Sequence, residues 1–296
     1  MNHEELSRVQ VLPSVLGTGQ RPSRLQRQGR YTPESMRHPG KMLPAIAATV
    51  IKAFSRPGDL VVDPMCGIGT TLVEAIHLGR DAAGVEYEPD FVHLALGNLR
   101  LAHSQGATGT SHLACGDARN IAIIYRALHG KAALVLTSPP YGSRTHGQIH
   151  VGRDNGGGKI DKRHHRYSTD RGNLAHQPLP GLLAGFGQIL AGSATLLRPG
   201  GVIGVTVRPI RVKGELIDLP GQVVETAQRH DLVLTGRYAA LLAGLRDGGL
   251  VNRASFFQML ETRRARDRGI PACATAHEDL LLFQPATLTD LPEETR

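Results

Sequence analysis

Cysteine is scarce in this 296-residue chain. Cys66, Cys115 and Cys273 are far apart and odd in number, and no CxxC spacing occurs. That excludes a disulfide framework and a zinc site of familiar spacing, and it fits a reducing cytosol. No metal is expected. Long apolar runs are also missing, so no segment approaches the length needed to span a membrane. The first residues, Met1-Asn-His-Glu-Glu5, are acidic and do not read as a signal peptide. The expected setting is the cytoplasm, as a monomer or homodimer. Lysine is limited to Lys41, Lys52, Lys131, Lys159, Lys162 and Lys213, yet the formal net charge is +8. The excess is therefore mostly arginine, whose planar fork suits phosphate, and an anionic partner is expected. Internal repeats and sustained heptads are absent.

What is present is an alternation of strand and helix signals. Residues 1–37 are polar and rich in Gln and Arg, and read as a flexible N-terminal arm. Pro44 opens a helix over 44–54, and Leu60–Val62 is a short buried strand ending at Asp63. Further helices are expected over 70–79, 89–103, 119–129, 180–197 and 219–230. Further strands are expected at 82–87, 113–115, 132–136, 202–207, 232–235 and 279–283. This rhythm predicts an α/β fold with a mostly parallel sheet covered by helices on both faces. Residues 142–178 break it, and a segment of that length without structure is uncommon inside a compact domain unless it is functional or disordered.

Two segments carry chemistry. The first is Asp63-Pro-Met-Cys-Gly-Ile-Gly-Thr-Thr71, where a strand meets a glycine turn and then a helix. That geometry brings backbone close to a nucleotide-type cofactor at a helix N-terminus. Leu72 stands where a dinucleotide fingerprint has its third glycine, and no lysine follows, so a P-loop is excluded. Asp63, Glu86 and Asp117 fall at the ends of three successive strands. They suit an ammonium group, a ribose diol and an adenine amino group respectively. Each acid, taken alone, equally suits a strand-to-helix cap.

The second segment is Thr137-Ser-Pro-Pro-Tyr-Gly142, after the fourth strand. Two prolines stiffen the turn, so that the Ser138 hydroxyl and a backbone carbonyl can accept from one amino group. An amine conjugated to a base ring is a poor nucleophile because its lone pair is delocalised. Two acceptors favour its tetrahedral form. Tyr141 offers a face on which a flipped base can stack.

On these residues the chain resembles the amino-directed DNA methyltransferases, the N4-cytosine and N6-adenine group. Asp63-Pro-Met-Cys-Gly-Ile-Gly-Thr70 resembles their S-adenosylmethionine motif, and Thr137-Ser-Pro-Pro-Tyr141 their catalytic motif in its serine form. His38-Pro-Gly-Lys-Met-Leu-Pro44 resembles the segment placed against the methionine end of the cofactor. The resemblance covers roughly 38–141 well and 180–285 loosely. It implies a Rossmann-like, seven-stranded sheet whose last strand is antiparallel, in a methyltransferase domain over 38–290. It also implies S-adenosylmethionine bound by Lys41, Asp63, Cys66, Gly67, Gly69, Thr70, Glu86, Asp117 and Ser138. Catalysis would fall to Ser138, Pro139, Pro140 and Tyr141. The serine form leans towards cytosine N4 in DNA, with restriction-modification as a setting. Cofactor motif before catalytic motif also resembles the guanine-N2 methyltransferases of tRNA, so RNA guanine and N6-adenine stay open.

The insert at 142–178 holds Arg144, Arg153, Lys159, Lys162, Arg163 and Arg166. Placed next to the catalytic turn, they are expected to follow a phosphate backbone. Arg263, Arg264, Arg266 and Arg268 form a second basic cluster that reads equally well as a solvated helix face.

Overall fold

The computed structural model describes residues 12–38, 40–141, 170–212, 215–253 and 256–286. In chain order, β1 (Val15–Leu16) and α1 (Ser23–Arg27) precede α2 (Pro44–Phe54) and β2 (Leu60–Asp63). Then come α3 (Thr70–His77), β3 (Asp81–Glu86), α4 (Pro89–Ser104) and β4 (Ser111–Cys115). After α5 (Ile121–Ile124) and β5 (Ala132–Thr137), the chain continues through α6 (Leu179–Ala194) and β6 (Leu197–Val207). Two short strands follow, β7 (Ile210–Val212) and β8 (Glu215–Ile217), then α7 (Leu219–Gln228) and β9 (Leu232–Leu241). The last elements are β10 (Gly244–Arg246), β11 (Gly249–Val251), α8 (Phe256–Asp267) and β12 (His277–Pro285). Pro at the first helical turn opens α2, α4 and α7, and Asp218 caps α7 through the Gly221 N–H at 3.1 Å.

One eight-stranded sheet runs in the order β1-β9-β12-β6-β5-β2-β3-β4. Every pairing is parallel except those of β12, which lies antiparallel to both β6 and β9. Side-chain alternation divides the core between the two faces. Val61, Leu134, Leu136, Leu280 and Leu282 meet Ile46, Val50 and Leu72 of α2 and α3 on one face. Val62, Val135, Ile203, Leu281 and Phe283 meet Phe186, Ile189 and Val223 of α6 and α7 on the other. Because both faces are covered, the central strands read as continuous apolar runs rather than alternating ones. Chain order reverses between β2 and β5. This is the switch point of an open α/β sheet, where a crevice opens beyond the carboxyl ends of the strands.

The Rossmann-like sheet and its antiparallel last strand are as expected, but the sheet has eight strands rather than seven. The extra one is β1, from the arm expected to be flexible. Residues 12–37 are in fact packed: Leu16, Tyr31 and the charged Arg27 are all buried. The reason is Glu74 on α3. Its carboxylate accepts from Arg30 at 2.7 and 2.6 Å and from the Tyr31 hydroxyl at 2.8 Å. The helix expected over 119–129 is broken at Tyr125, which leaves helical backbone (φ −110°, ψ 35°) as its hydroxyl donates to the Gly84 carbonyl at 2.5 Å. Residues 198–201 form a bulge within β6, which is longer than the expected strand over 202–207. No helix among the described residues is long and apolar enough to cross a membrane.

Candidate active site

The crevice at the switch point opens into a cleft with an empty volume of about 1080 Å³, counted out to solvent. The loop from Asp63 to Gly69 forms its floor. Gly67 (φ 53°) and Gly69 (φ 78°) both take left-handed backbone that other residues resist. A Cβ on Gly67 would also stand 3.0 Å from the His38 ring. His38 is buried and packs on Phe91 at 4.2 Å between centroids, so it closes the loop from behind. Asn98 accepts from the Thr32 N–H at 2.8 Å and donates to the Ile68 carbonyl at 2.9 Å. It thereby bolts the arm to the loop. First-turn N–H groups of α3, at Thr70 and Thr71, have no acceptor within the helix and lie at the cleft.

The three acids do reach one edge, with different partners. Glu86 accepts from the Gly67 N–H at 2.8 Å and the Glu88 N–H at 2.9 Å. Burial pushes its pKa up to about 7 against those two bonds. Asp63 is raised to about 6 by burial, opposed by the Thr71, Met65 and Thr137 groups that hydrogen-bond it. Asp117 differs. Burial alone would raise it, but the Arg119 guanidinium holds it below the ordinary range, and the same carboxylate accepts the Arg119 N–H at 2.9 Å. Lys41 also lines the cleft, but its ammonium donates to the carbonyls of Met36 (3.0 Å) and His38. Burial, then the nearby Arg27, lowers its pKa to about 8. Cys66 is buried, and burial raises its thiol well above the ordinary value.

The Ser-Pro-Pro-Tyr turn stands beside this loop because β5 is the neighbour of β2. One buried hydrogen bond joins them: the Thr137 hydroxyl donates to Asp63 Oδ1 at 2.9 Å. The same oxygen accepts the Met65 N–H at 3.1 Å. Ser138 is half-buried, Pro139 is buried, and both line the cleft with Pro140 and Tyr141. The Tyr141 hydroxyl is buried without a hydrogen bond among the described residues, although Ser138 and the Arg208 backbone lie beside it. The Arg208 guanidinium stands over the Tyr141 ring, 5.4 Å from its centroid.

Arg144, Arg153, Lys159, Lys162, Arg163 and Arg166 lie outside the described residues. The chain returns at Asp170, which accepts from the Tyr87 hydroxyl at 2.6 Å, and at Asn173, which donates to Glu88. The segment therefore leaves from the Ser-Pro-Pro-Tyr turn and comes back beside β3. Arg263, Arg264, Arg266 and Arg268 are exposed on or just after α8. Among the described residues no cluster of three or more His, Cys, Asp or Glu is placed to hold a metal.

Sequence reasoning missed Glu278, which lines the cleft, and Arg208, which covers the Tyr141 ring; the pairing of β12 with β6 sets the two opposite each other. It also left out His38 as a site residue, although the segment containing it was singled out.

The N6_N4_Mtase family, described as "DNA methylase", matches residues 14–97. This span holds the arm and the glycine loop and stops short of Ser138. Over 70 residues the chain is 36% identical to the Type II methyltransferase M.ScaI of Streptomyces caespitosus, covering 24% of this chain and 23% of that protein. It is also 36% identical over 70 residues to the DNA adenine methyltransferase YhdJ of Escherichia coli (strain K12), covering 24% of each. The chain thus spans about a quarter of the length of these curated relatives. Among solved structures, TrmN from Thermus thermophilus is similar with a TM-score of 0.49 at 16% identity, over 88% of this chain and 53% of that one.

Proposed function

We propose that this chain is an S-adenosylmethionine-dependent methyltransferase acting on the exocyclic amine of a nucleic-acid base, cytosine N4 in DNA first. The observation that carries the reading is the Thr137–Asp63 hydrogen bond at the switch point, which fixes the Ser-Pro-Pro-Tyr turn against the glycine loop. The residues fit the cofactor. Asp63 and Glu86 are buried acids raised by their burial, and a cationic ligand relieves both. The left-handed glycines leave the floor open to the ligand. When bound, S-adenosylmethionine supplies a methyl group on a sulfonium that departs without acid assistance.

In this reading Asp63 holds the ammonium end, Glu86 the ribose diol, and Asp117 the adenine edge while paired with Arg119. Gly67, Gly69, Cys66 and Thr70 shape the floor. Lys41 acts through the loop it ties down rather than by direct contact. Ser138 and the turn's backbone carbonyl accept from the amine, orienting its lone pair. Pro139 and Pro140 hold that geometry, so the rate comes from alignment and electrostatics. Tyr141 stacks on the base. Arg144, Arg153, Lys159, Lys162, Arg163 and Arg166 follow the phosphates, and the reading places the protein in the cytoplasm with its substrate. N6-adenine is the second reading, favoured by the named activity of the Escherichia coli relative.

The test is methyl-labelled S-adenosylmethionine given with unmethylated genomic DNA and total RNA of a heterologous host, followed by nucleoside mass spectrometry. Label in N4-methylcytosine is expected. Label confined to RNA guanine overturns the DNA reading, and label in neither nucleic acid overturns base methylation altogether.

A further inference from the structure

Glu278 stands in the same cleft as Ser138 and Tyr141, on the first residues of β12. Register explains its arrival. Asp279 pairs with Val207 at the end of β6, so Glu278 is set opposite Arg208, the residue that covers the Tyr141 ring. The next residue, Asp279, turns the other way and is bound by Arg237 at 2.8 Å. Glu278 has no such partner: among the described residues no hydrogen bond or ion pair reaches its carboxyl, and only the fields of Arg208 and Tyr141 act on it. Glu278 is half-buried at the cleft wall, and a carboxyl held there without a partner is suited to a ligand that completes it.

We propose that Glu278 is a specificity-determining residue that reads the target base by donating a hydrogen bond from its carboxyl to the ring nitrogen beside the reacting amine. This rests on the base-methylation reading above and deepens it. On the Watson–Crick edge, cytosine N3 and adenine N1 are acceptors next to the amine, whereas guanine presents its N1–H there, which an acid donor opposes. Burial favours the neutral, donating form of Glu278, with Arg208 opposing it. The amine itself remains with the Ser138 turn, so the two contacts divide the base edge between them. The charged and titratable groups around Glu278 are Arg208 beyond β6 and the neutral Tyr141 phenol beyond β5, with Asp63 and Glu86 lining the same cleft.

The experiment compares wild type, E278A and E278Q as full chains, on the DNA and RNA substrates above, with cofactor affinity measured by calorimetry. E278A is expected to lose roughly 10- to 100-fold in kcat/KM, the discrimination of one good base contact. E278Q keeps a donor of the same shape and stays within about threefold of wild type. Both bind S-adenosylmethionine like wild type. Wild-type turnover falls on the alkaline side as Glu278 ionises, and E278Q lacks that limb. Unchanged kcat/KM in E278A overturns the assignment while leaving base methylation intact. So does an E278Q as impaired as E278A, an alkaline limb retained in E278Q, or a wild type that marks guanine. If E278A fails to fold, E278Q and its pH profile decide alone. A wild type that methylates no base overturns the underlying reading and this assignment with it.

Discussion

The two sides of the cleft are built differently. On the cofactor side nearly every polar group is already bound within the protein. Glu86 holds two backbone N–H groups, Asp117 holds Arg119, Lys41 holds two carbonyls, and Asn98 bolts the arm to the loop. On the target side, the Tyr141 hydroxyl and Glu278 lack hydrogen-bond partners among the described residues. On the proposed function the difference follows from the ligands: a small cofactor of constant shape rewards a pocket formed in advance, whereas a base within a polymer brings its own donors and acceptors. The prebuilt side is also where the family match lies.

The largest effect should come from breaking the brace of the prebuilt side. Glu74→Ala leaves Arg30, Arg27 and the Tyr31 hydroxyl without their buried carboxylate. It should cost about 3–5 kcal/mol in chemical denaturation and weaken S-adenosylmethionine binding. A loss of stability with cofactor affinity unchanged would show that the arm does not shape the pocket. The target side should answer in the opposite way. Ser138→Ala should lower kcat by about 100- to 1000-fold, the scale of one lost electrostatic donor or acceptor at a reacting centre, and Tyr141→Ala should cost about 1–3 kcal/mol in kcat/KM, the scale of one lost stacking face, both with cofactor binding kept. Wild-type turnover in both variants would remove the turn from the chemistry.

How much could be read beforehand divides along the same line. Glycine turns and strand ends are local signals, so Asp63, Gly67, Gly69 and Glu86 were legible from spacing alone. So was the sheet, because fully covered parallel strands give unbroken apolar runs such as Ala132–Leu136. The arm was misread because its composition is polar. What orders it is Glu74, 44 residues from Arg30, and no local pattern reveals such a partner. Glu278 and Arg208 were missed for the same reason: they meet only through the β12–β6 register. The β10–β11 hairpin had a local signal that was passed over. Asp247 and Gly248 sit in left-handed backbone as a two-residue loop, the Asp-Gly signature of that turn.

A smaller effect sharpens the electrostatic half of the comparison. Asp63 and Glu86 have pKa values raised to about 6 and about 7 in the free protein. Their contribution to stability is therefore full below the ordinary carboxylate range and is lost as pH rises through 6 and then 7. Cofactor binding has the reverse sign, because the ammonium needs Asp63 ionised and the ribose hydroxyls donate best to an ionised Glu86. S-adenosylmethionine should bind about tenfold more weakly at pH 5.5 than at pH 8, by calorimetry. Glu86→Gln should flatten most of that dependence. A pH-independent affinity in the wild type would mean that neither carboxylate takes part in holding the cofactor.

The smallest predicted effect bears on the joint between the two sides. Thr137→Val keeps the size of a fully buried side chain and removes only the hydroxyl that donates to Asp63. Asp63 Oδ1 still accepts the Met65 N–H, so the loss in stability should be about 1 kcal/mol. The turn and the loop remain on adjacent strands, and both ligands can still bind. What changes is the alignment of amine to methyl group, where small displacements matter. The expected result is a kcat lowered by about tenfold, with the KM for nucleic acid and the affinity for S-adenosylmethionine unchanged. If kcat holds, strand pairing alone aligns the two sides. If instead cofactor affinity falls, the hydroxyl acts by setting the Asp63 carboxylate for its ligand.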